Sequence, residues 1–470
     1  MKEGFKMYKK IEEYFLTHKD EILADISSLV AVNSVRGEAE ANMPFGKGPA
    51  AAVAKAEEII KRMGFESTNF DNYALTVNYG EGDAHLGILC HLDVVAEGTG
   101  WTRKPFEMTV EGNKIYGRGV SDDKGPAVVA LWALKACRDL GIKINKKVRI
   151  ILGADEECGS SDLEYYFKKE NPPKYCLSPD ADFPIYNCEK GSFSSPFRAK
   201  YENKALPALV SFEGGHTSNI VAQHSEAVVE GIDITLAETL AKKYSTTTKA
   251  DIKAFEENRK IKFTCDGLSA HASTPEHGIN AVTALVSLIN ELPLAEGELK
   301  TYIKGLAESF PHMDFYGKAV GIANEDEVSG KLTCSFNILN IKNGELMGLC
   351  DCRCPICSNE ENTTLLMDKK LRKYGISYDS TKMNPAHFVD PEQPFIKTLS
   401  KSYEAFTGEK CECCSMGGGT YVHHIDNGVA FGPSFPGSVT NIHGPDEVAD
   451  IDELLKCGMI YADVIGEMCK

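Results

Sequence analysis

Residues 85–95 read His-Leu-Gly-Ile-Leu-Cys-His-Leu-Asp-Val-Val, an almost unbroken apolar run with a histidine and an aspartate near its end. Strands covered on both faces read this way, because neither side of the pleat meets water. Downstream, 124–140 carries helical spacing closed by Gly141, and 147–154 is a second buried-strand run. Strand, helix, strand at this spacing predicts a parallel crossover unit, whose ligands gather at the carboxyl ends of the strands. His91 and Asp93 end the first strand, and Asp155, Glu156 and Glu157 come directly after the second. The expected fold is therefore an α/β domain with a mostly parallel, helix-covered sheet.

Outward from this unit, 20–36 and 50–64 carry helical apolar periodicity, with Gly64 at a C-cap position, and 73–79 alternates like a strand. After Asp180 the character changes. Strand-like runs (208–212, 260–265, 332–341) alternate with helical ones (236–244, 280–290), predicting an inserted α+β domain. The chain then returns to helix at 395–407 and strand at 428–431, and supplies His443. This places the boundaries at 1–189 and 382–470 for a discontinuous first domain, and at 190–381 for the insert.

At 470 residues the chain is long enough for more than one domain, and 43% hydrophobic with 25% charged residues is an ordinary globular balance. A net charge of −17 disfavours nucleic acid, whose phosphates would be repelled. The N-terminus has lysines but no apolar core of a signal peptide, and no apolar run approaches the ~20 residues that cross a bilayer. A cytoplasmic protein without a membrane partner is expected. Sixteen cysteines diluted in so large a chain read as reduced packing residues. Those at 350–357 and 411–414 also leave open a soft-metal or redox role.

The chemistry rests on His91-Leu92-Asp93, Ser121-Asp122-Asp123, Asp155-Glu156-Glu157, Pro179-Asp180 and Ile442-His443-Gly444. Alone, each has a plain reading: a satisfied core histidine, acids capping the helix from Lys124, a solvated acidic loop. Together they hold the imidazoles and hard carboxylates that a pair of divalent cations needs, with a carboxylate to spare for proton transfer. A carboxylate two residues from a ligating histidine also suits the task of fixing that imidazole's tautomer.

The segments HLDVV, GRGVSDDKGP, DEE, SPDADFP and IHGPDE, in this order, resemble the di-zinc metallopeptidase family that contains aminoacylases, carboxypeptidases and dipeptidases, nearest its dipeptidase V (Xaa-His or β-Ala-Xaa dipeptidase) branch. The resemblance runs from about residue 10 to the C-terminus. It implies that His91 and Asp180 hold one metal, Glu157 and His443 the other, and that Asp122 bridges them, with a cis peptide between Asp122 and Asp123. Glu156 would be the general base and acid acting on the water between the metals, and Asp93 the orienter of His91. In the insert, Gly267 to Ser273 resembles the family's lid motif, which assigns His271 to the developing oxyanion. Asn219 matches a second oxyanion contact, and Gly417, Gly418 and Gly419 a carboxylate-binding loop. Arg353, in Cys350-Asp351-Cys352-Arg353-Cys354, would share one strand face with Asp351 and offer its fork to a substrate carboxylate.

The resemblance implies a metal-dependent dipeptidase acting on unblocked dipeptides. Its cofactors would be two divalent ions, Zn2+ first, with Mn2+ or Co2+ also suited. Its partner is a small peptide, and a lid supplied in cis makes it a monomer. The alternative is an amidohydrolase acting on N-acyl amino acids, of aminoacylase or desuccinylase type. A non-catalytic metal- or thiol-binding protein is a more distant rival, since it has no use for Glu156. One departure bears on substrate preference: His423 and His424 stand where relatives carry an arginine.

Overall fold

The computed structural model describes residues 2–202 and 205–470. The chain divides into two compact units. One takes the chain up to Cys188, then Phe388–Cys414 and Gly419–Lys470; the other takes Glu189–His387 with Ser415–Gly418.

The sheet of the first unit is mixed. Ala84–His91 lies at its centre, parallel to Lys147–Gly153 on one side and to Tyr175–Ser178 on the other. Gly428–Ala430 extends the parallel part beyond Tyr175–Ser178. The margins turn antiparallel: Ala74–Tyr79 against Lys147–Gly153, Ser67–Phe70 against Ala74–Tyr79, and Ala430 against Tyr186. The expectation of a mostly parallel sheet thus describes its middle and not its edges. At the outer margin Ser67–Phe70 and Ala74–Tyr79 are joined by a short turn, a connection too brief for a parallel pair.

The central strand is buried from Leu86 onward, matching its unbroken apolar run. Helices Lys124–Asp139 and Ile451–Cys469 pack on each other and on this strand. The first of them is buried from Lys124 through Leu134, on all sides. A helix apolar all round can only be an interior helix.

Two expected boundaries shift. The strand ends at His91, not Val95, because the Asp93 carboxylate is spent on other backbone amides and Val94 N–H donates to Ser34 O at 3.4 Å. His91 and Asp93 therefore do not share a strand face. The second helix covers Lys19–Val30 and stops short of residue 36, since Ser34 Oγ donates to Leu92 O at 2.6 Å and so ties that segment to the site.

The second unit is built on an antiparallel sheet in the order Asp251–Glu257, Lys260–Asp266, His224–Glu230, Ala208–Gly214, Thr333–Lys342, Glu345–Cys354, Pro196–Lys200. Burial alternates residue by residue along His224–Glu230 and Lys260–Asp266, as it does when one face is covered and one is wet. Helices Ile234–Thr248 and Ala281–Glu291 carry side-chain N-caps: Asp233 accepts from Thr235 N–H and Asn280 from Thr283 N–H. Cys350, Cys352 and Cys354 are buried in this unit's core, on one face of their strand.

Candidate metal centre

The site grows from the carboxyl ends of the two central parallel strands. His91 is the last residue of one strand and is 1% exposed. Its Nε2 lies 2.9 Å from Asp122 Oδ1 and 3.9 Å from Asp180 Oδ2. His443 Nε2 lies 3.0 Å from the other Asp122 oxygen, Oδ2, and 3.2 Å from Glu157 Oε2. A single carboxylate thus faces a different imidazole with each of its oxygens. The peptide between Asp122 and Asp123 is cis.

The acidic triplet splits its duties. Asp155 turns to Arg36 Nη1 at 2.6 Å and to the Ser161 hydroxyl. Glu157 lies in one group of candidate ligands with His91 and Asp122, and Glu156 in a second with His91 and Asp180. Asp93 sets the turn that carries them: its carboxylate oxygens accept the N–H groups of Glu156 and Glu157, each at 3.1 Å. Toward His91, the shorter contact to Nδ1 is the Asp93 carbonyl at 3.0 Å, with the carboxylate at 3.5 Å. Either partner fixes the proton on Nδ1 and leaves Nε2 to ligate.

Gly153 precedes this turn. A Cβ there would sit 2.0 Å from Tyr421 Oη and 2.4 Å from Asp162 Oδ2. Those two side chains hydrogen-bond to each other, and Asp162 also accepts Ala154 N–H at 2.6 Å and Asp155 N–H at 2.9 Å. Only glycine leaves room for this brace.

The electrostatics are those of a carboxylate cluster short of positive charge. Burial opposes charge on His91, but hydrogen bonds to Asp122 and Asp93 outweigh it and raise its pKa well above normal. Hydrogen bonds to Asp122 and Glu157 push His443 up to about 10. Burial also favours the neutral form of Asp122, but His443 and His91 overcome it and hold its carboxyl below the usual range. Burial first, then the neighbouring Glu157, Asp122 and Asp93 charges, push Glu156 up to about 8. Asp180 is raised for the same reasons, with Glu156 and Asp122 as its neighbours. Divalent cations would take the place of these protons, and neutral imidazole with carboxylate oxygen is a donor set that suits them. The residues present therefore fit a metal centre.

In the second unit, His271 Nδ1 accepts Ser273 N–H at 3.1 Å and lies 2.7 Å from Ser273 Oγ. That places the ring proton on Nε2 and makes Nε2 a donor. Asn219 is its neighbour: Ala272 N–H donates to Asn219 O at 2.8 Å, and Ile220 bridges His271. Arg353 donates through Nε (2.7 Å) and Nη2 (3.0 Å) to the two oxygens of Asp351, and through Nη1 (2.7 Å) to Gly417 O. Its fork is engaged by Asp351 rather than held open, which leaves one N–H on each terminal nitrogen. Gly417 approaches Ser273 so closely that a Cβ would lie 2.6 Å from Ser273 Cβ. Gly418 belongs to this unit and Gly419 to the first.

Asp162 and Tyr421 lie outside the quoted motifs, and Glu447, the last residue of the IHGPDE segment, has no role assigned by sequence. Their only local signals are a Tyr after the Gly-Gly-Gly-Thr run and a Glu four residues beyond His443.

The chain is similar to several known proteins. Residues 87–467 match peptidase family M20/M25/M40. A protein named putative dipeptidase YtjP, from Bacillus subtilis (strain 168), is 36% identical over 459 residues, covering 96% of this chain and 98% of its own length. The Beta-Ala-Xaa dipeptidase of Lactobacillus delbrueckii subsp. lactis is 35% identical over 459 residues, covering 96% and 97%. Among solved structures, human carnosine dipeptidase 1 superposes with a TM-score of 0.62 at 15% identity, covering 98% of this chain and 99% of that one, a likeness of fold. The chain belongs to peptidase family M20/M25/M40.

Proposed function

We propose that this peptidase is a metal-dependent dipeptidase that hydrolyses unblocked dipeptides. The observation that carries the reading is Asp122, each of whose oxygens meets a different imidazole, with Glu156 grouped with His91 and Asp180. The names of the two relatives above, both dipeptidases, favour the same substrate class.

His91 and Asp180 would hold one cation, Glu157 and His443 the other, and Asp122 both. When bound, two divalent cations supply Lewis acidity and bring water deprotonation near neutral pH. Zinc suits this donor set best, and manganese or cobalt also fits it. Glu156 accepts the proton of the attacking water as its oxygen bonds to the peptide carbonyl carbon. It then delivers that proton to the amide nitrogen as the C–N bond breaks, releasing an amine and a carboxylate. Asp93 works one step back, through the Glu156 and Glu157 amides and through His91.

In the second unit, which we read as the lid domain, His271 Nε2–H and Asn219 would donate to the developing oxyanion. Arg353 would meet the substrate carboxylate through its remaining N–H groups, with the amides of Gly417, Gly418 and Gly419 forming an anion nest. Recognition of both termini would confine the substrate to dipeptides. The lid histidine being supplied in cis, the working unit is a monomer, and the compartment the cytoplasm.

The test is an assay over matched free and N-acylated dipeptides with metal supplied. Free dipeptides are expected to be hydrolysed at least about tenfold faster, since the N-acyl group removes the charged amine. Preference for the blocked series would move the chain to the amidohydrolase alternative.

A further inference from the structure

Beside the metal centre lies a buried ion pair that the mechanism does not use. Arg118 and Glu447 are 1% and 0% exposed and meet at 2.9 Å between Nη1 and Oε2. A buried pair is weak grounds for inferring stability, because desolvation offsets most of the attraction. Its wiring is more informative. Glu447 Oε2 also accepts Gly119 N–H at 3.0 Å, while Oε1 accepts Ser121 N–H at 2.9 Å and Asp122 N–H at 3.2 Å. One carboxylate thus gathers the backbone that leads into, and includes, the residue facing both imidazoles.

The same pair reaches the second imidazole from the other direction. Arg118 Nη2 donates to Gly444 O at 3.0 Å, the residue after His443. Gly117 N–H donates to Glu447 O at 3.0 Å, and Ser121 Oγ donates to Val448 O at 2.8 Å. The segments 117–122 and 443–448, which are distant in sequence, are therefore clasped on both sides of the Asp122–His443 contact. His443 itself has a left-handed backbone (φ 60°), a conformation that needs its surroundings to hold it.

We infer that Glu447, braced by Arg118, is a positioning residue for the metal centre: it fixes the Asp122 carboxylate and the His443 loop in register, so that the cation shared by Asp122, Glu157 and His443 finds its ligands preassembled. This rests on the metal-centre reading above. Glu447→Gln keeps the volume but puts an NH2 where amide hydrogens already converge, so part of the clasp must open.

The test is a titration of chelator-stripped full-length protein with Co2+ or Zn2+, followed by calorimetry and, for Co2+, by the visible spectrum. Wild type is expected to show two binding events. In Glu447→Gln, the event at Glu157 and His443 is expected to weaken about 10–100-fold, as for lost outer contacts at metal sites, with an altered Co2+ spectrum, and the other event, which shares Asp122, to weaken less. Arg118→Lys keeps a charge beside Glu447 but loses the fork to Gly444, so it should weaken the same event by less. If Glu447→Gln does not yield folded protein, the Arg118→Lys titration decides. Wild-type affinity and spectrum in folded variants would overturn the inference and leave the metal centre standing. A wild-type chain that binds no second cation would overturn both.

Discussion

On the proposed mechanism the chemistry turns on Glu156, one of the two residues whose amides Asp93 holds, because its carboxylate is the one assigned to proton transfer. Glu156→Gln keeps shape and polarity while removing proton transfer. Activity is expected to fall about 10²–10⁴-fold with metal content unchanged, measured as kcat beside elemental analysis. Near wild-type turnover in the metal-loaded variant would remove Glu156 from the reaction. Most of the residues in this centre were legible from short motifs, because ligand chemistry restricts the side chains that can serve. The roles of Asp162, Tyr421 and Glu447 were not. Each acts on groups far away in sequence, and a lone acid or tyrosine carries no local mark of that task.

At the scale of elements, the buried strand Ala84–His91 and the interior helix Lys124–Asp139 followed from apolar runs with no alternative environment. Boundaries were less legible wherever a terminal residue is spent on a remote partner, as Asp93 is on the 156–157 amides and Ser34 is on Leu92. The turn after Lys147–Gly153 depends on Gly153, against which Tyr421 and Asp162 close. Gly153→Ala is expected to cost about 1–3 kcal/mol by forcing that brace apart, read as a lowered unfolding midpoint. Because the brace holds the Ala154 and Asp155 amides, kcat should fall as well. Unchanged stability and kcat would mean the turn does not need this close approach.

For the whole molecule, the sequence placed the second domain boundary at 381/382, while the compact second unit runs to His387 and takes in Ser415–Gly418. A short return segment shared out this way leaves no compositional trace. The second unit also carries a pH dependence of its own. His312 Nε2–H donates to Thr248 O at 3.0 Å and Nδ1 lies 2.9 Å from the Thr283 hydroxyl, an arrangement for the neutral ring. Burial lowers its pKa below 6.5, against the opposing Thr248 bond. Protons then bind the unfolded chain more readily, so this contribution is complete above pH 6.5 and is lost as pH falls from there toward the folded value. Thermal unfolding of wild type and His312→Gln across roughly pH 5–8 should show a steeper acid-side loss in wild type. Parallel curves would contradict the assignment.

The central claim is that the chain assembles a centre for two cations around the Asp122 carboxylate, and reconstitution tests it most directly. Chelator-stripped protein is titrated with Zn2+ while bound metal and dipeptide hydrolysis are followed together. No hydrolysis is expected in the stripped protein and full activity at two equivalents per chain, with Asp122→Asn losing both metal and activity. Full activity in stripped protein, or saturation at a single equivalent, would contradict it.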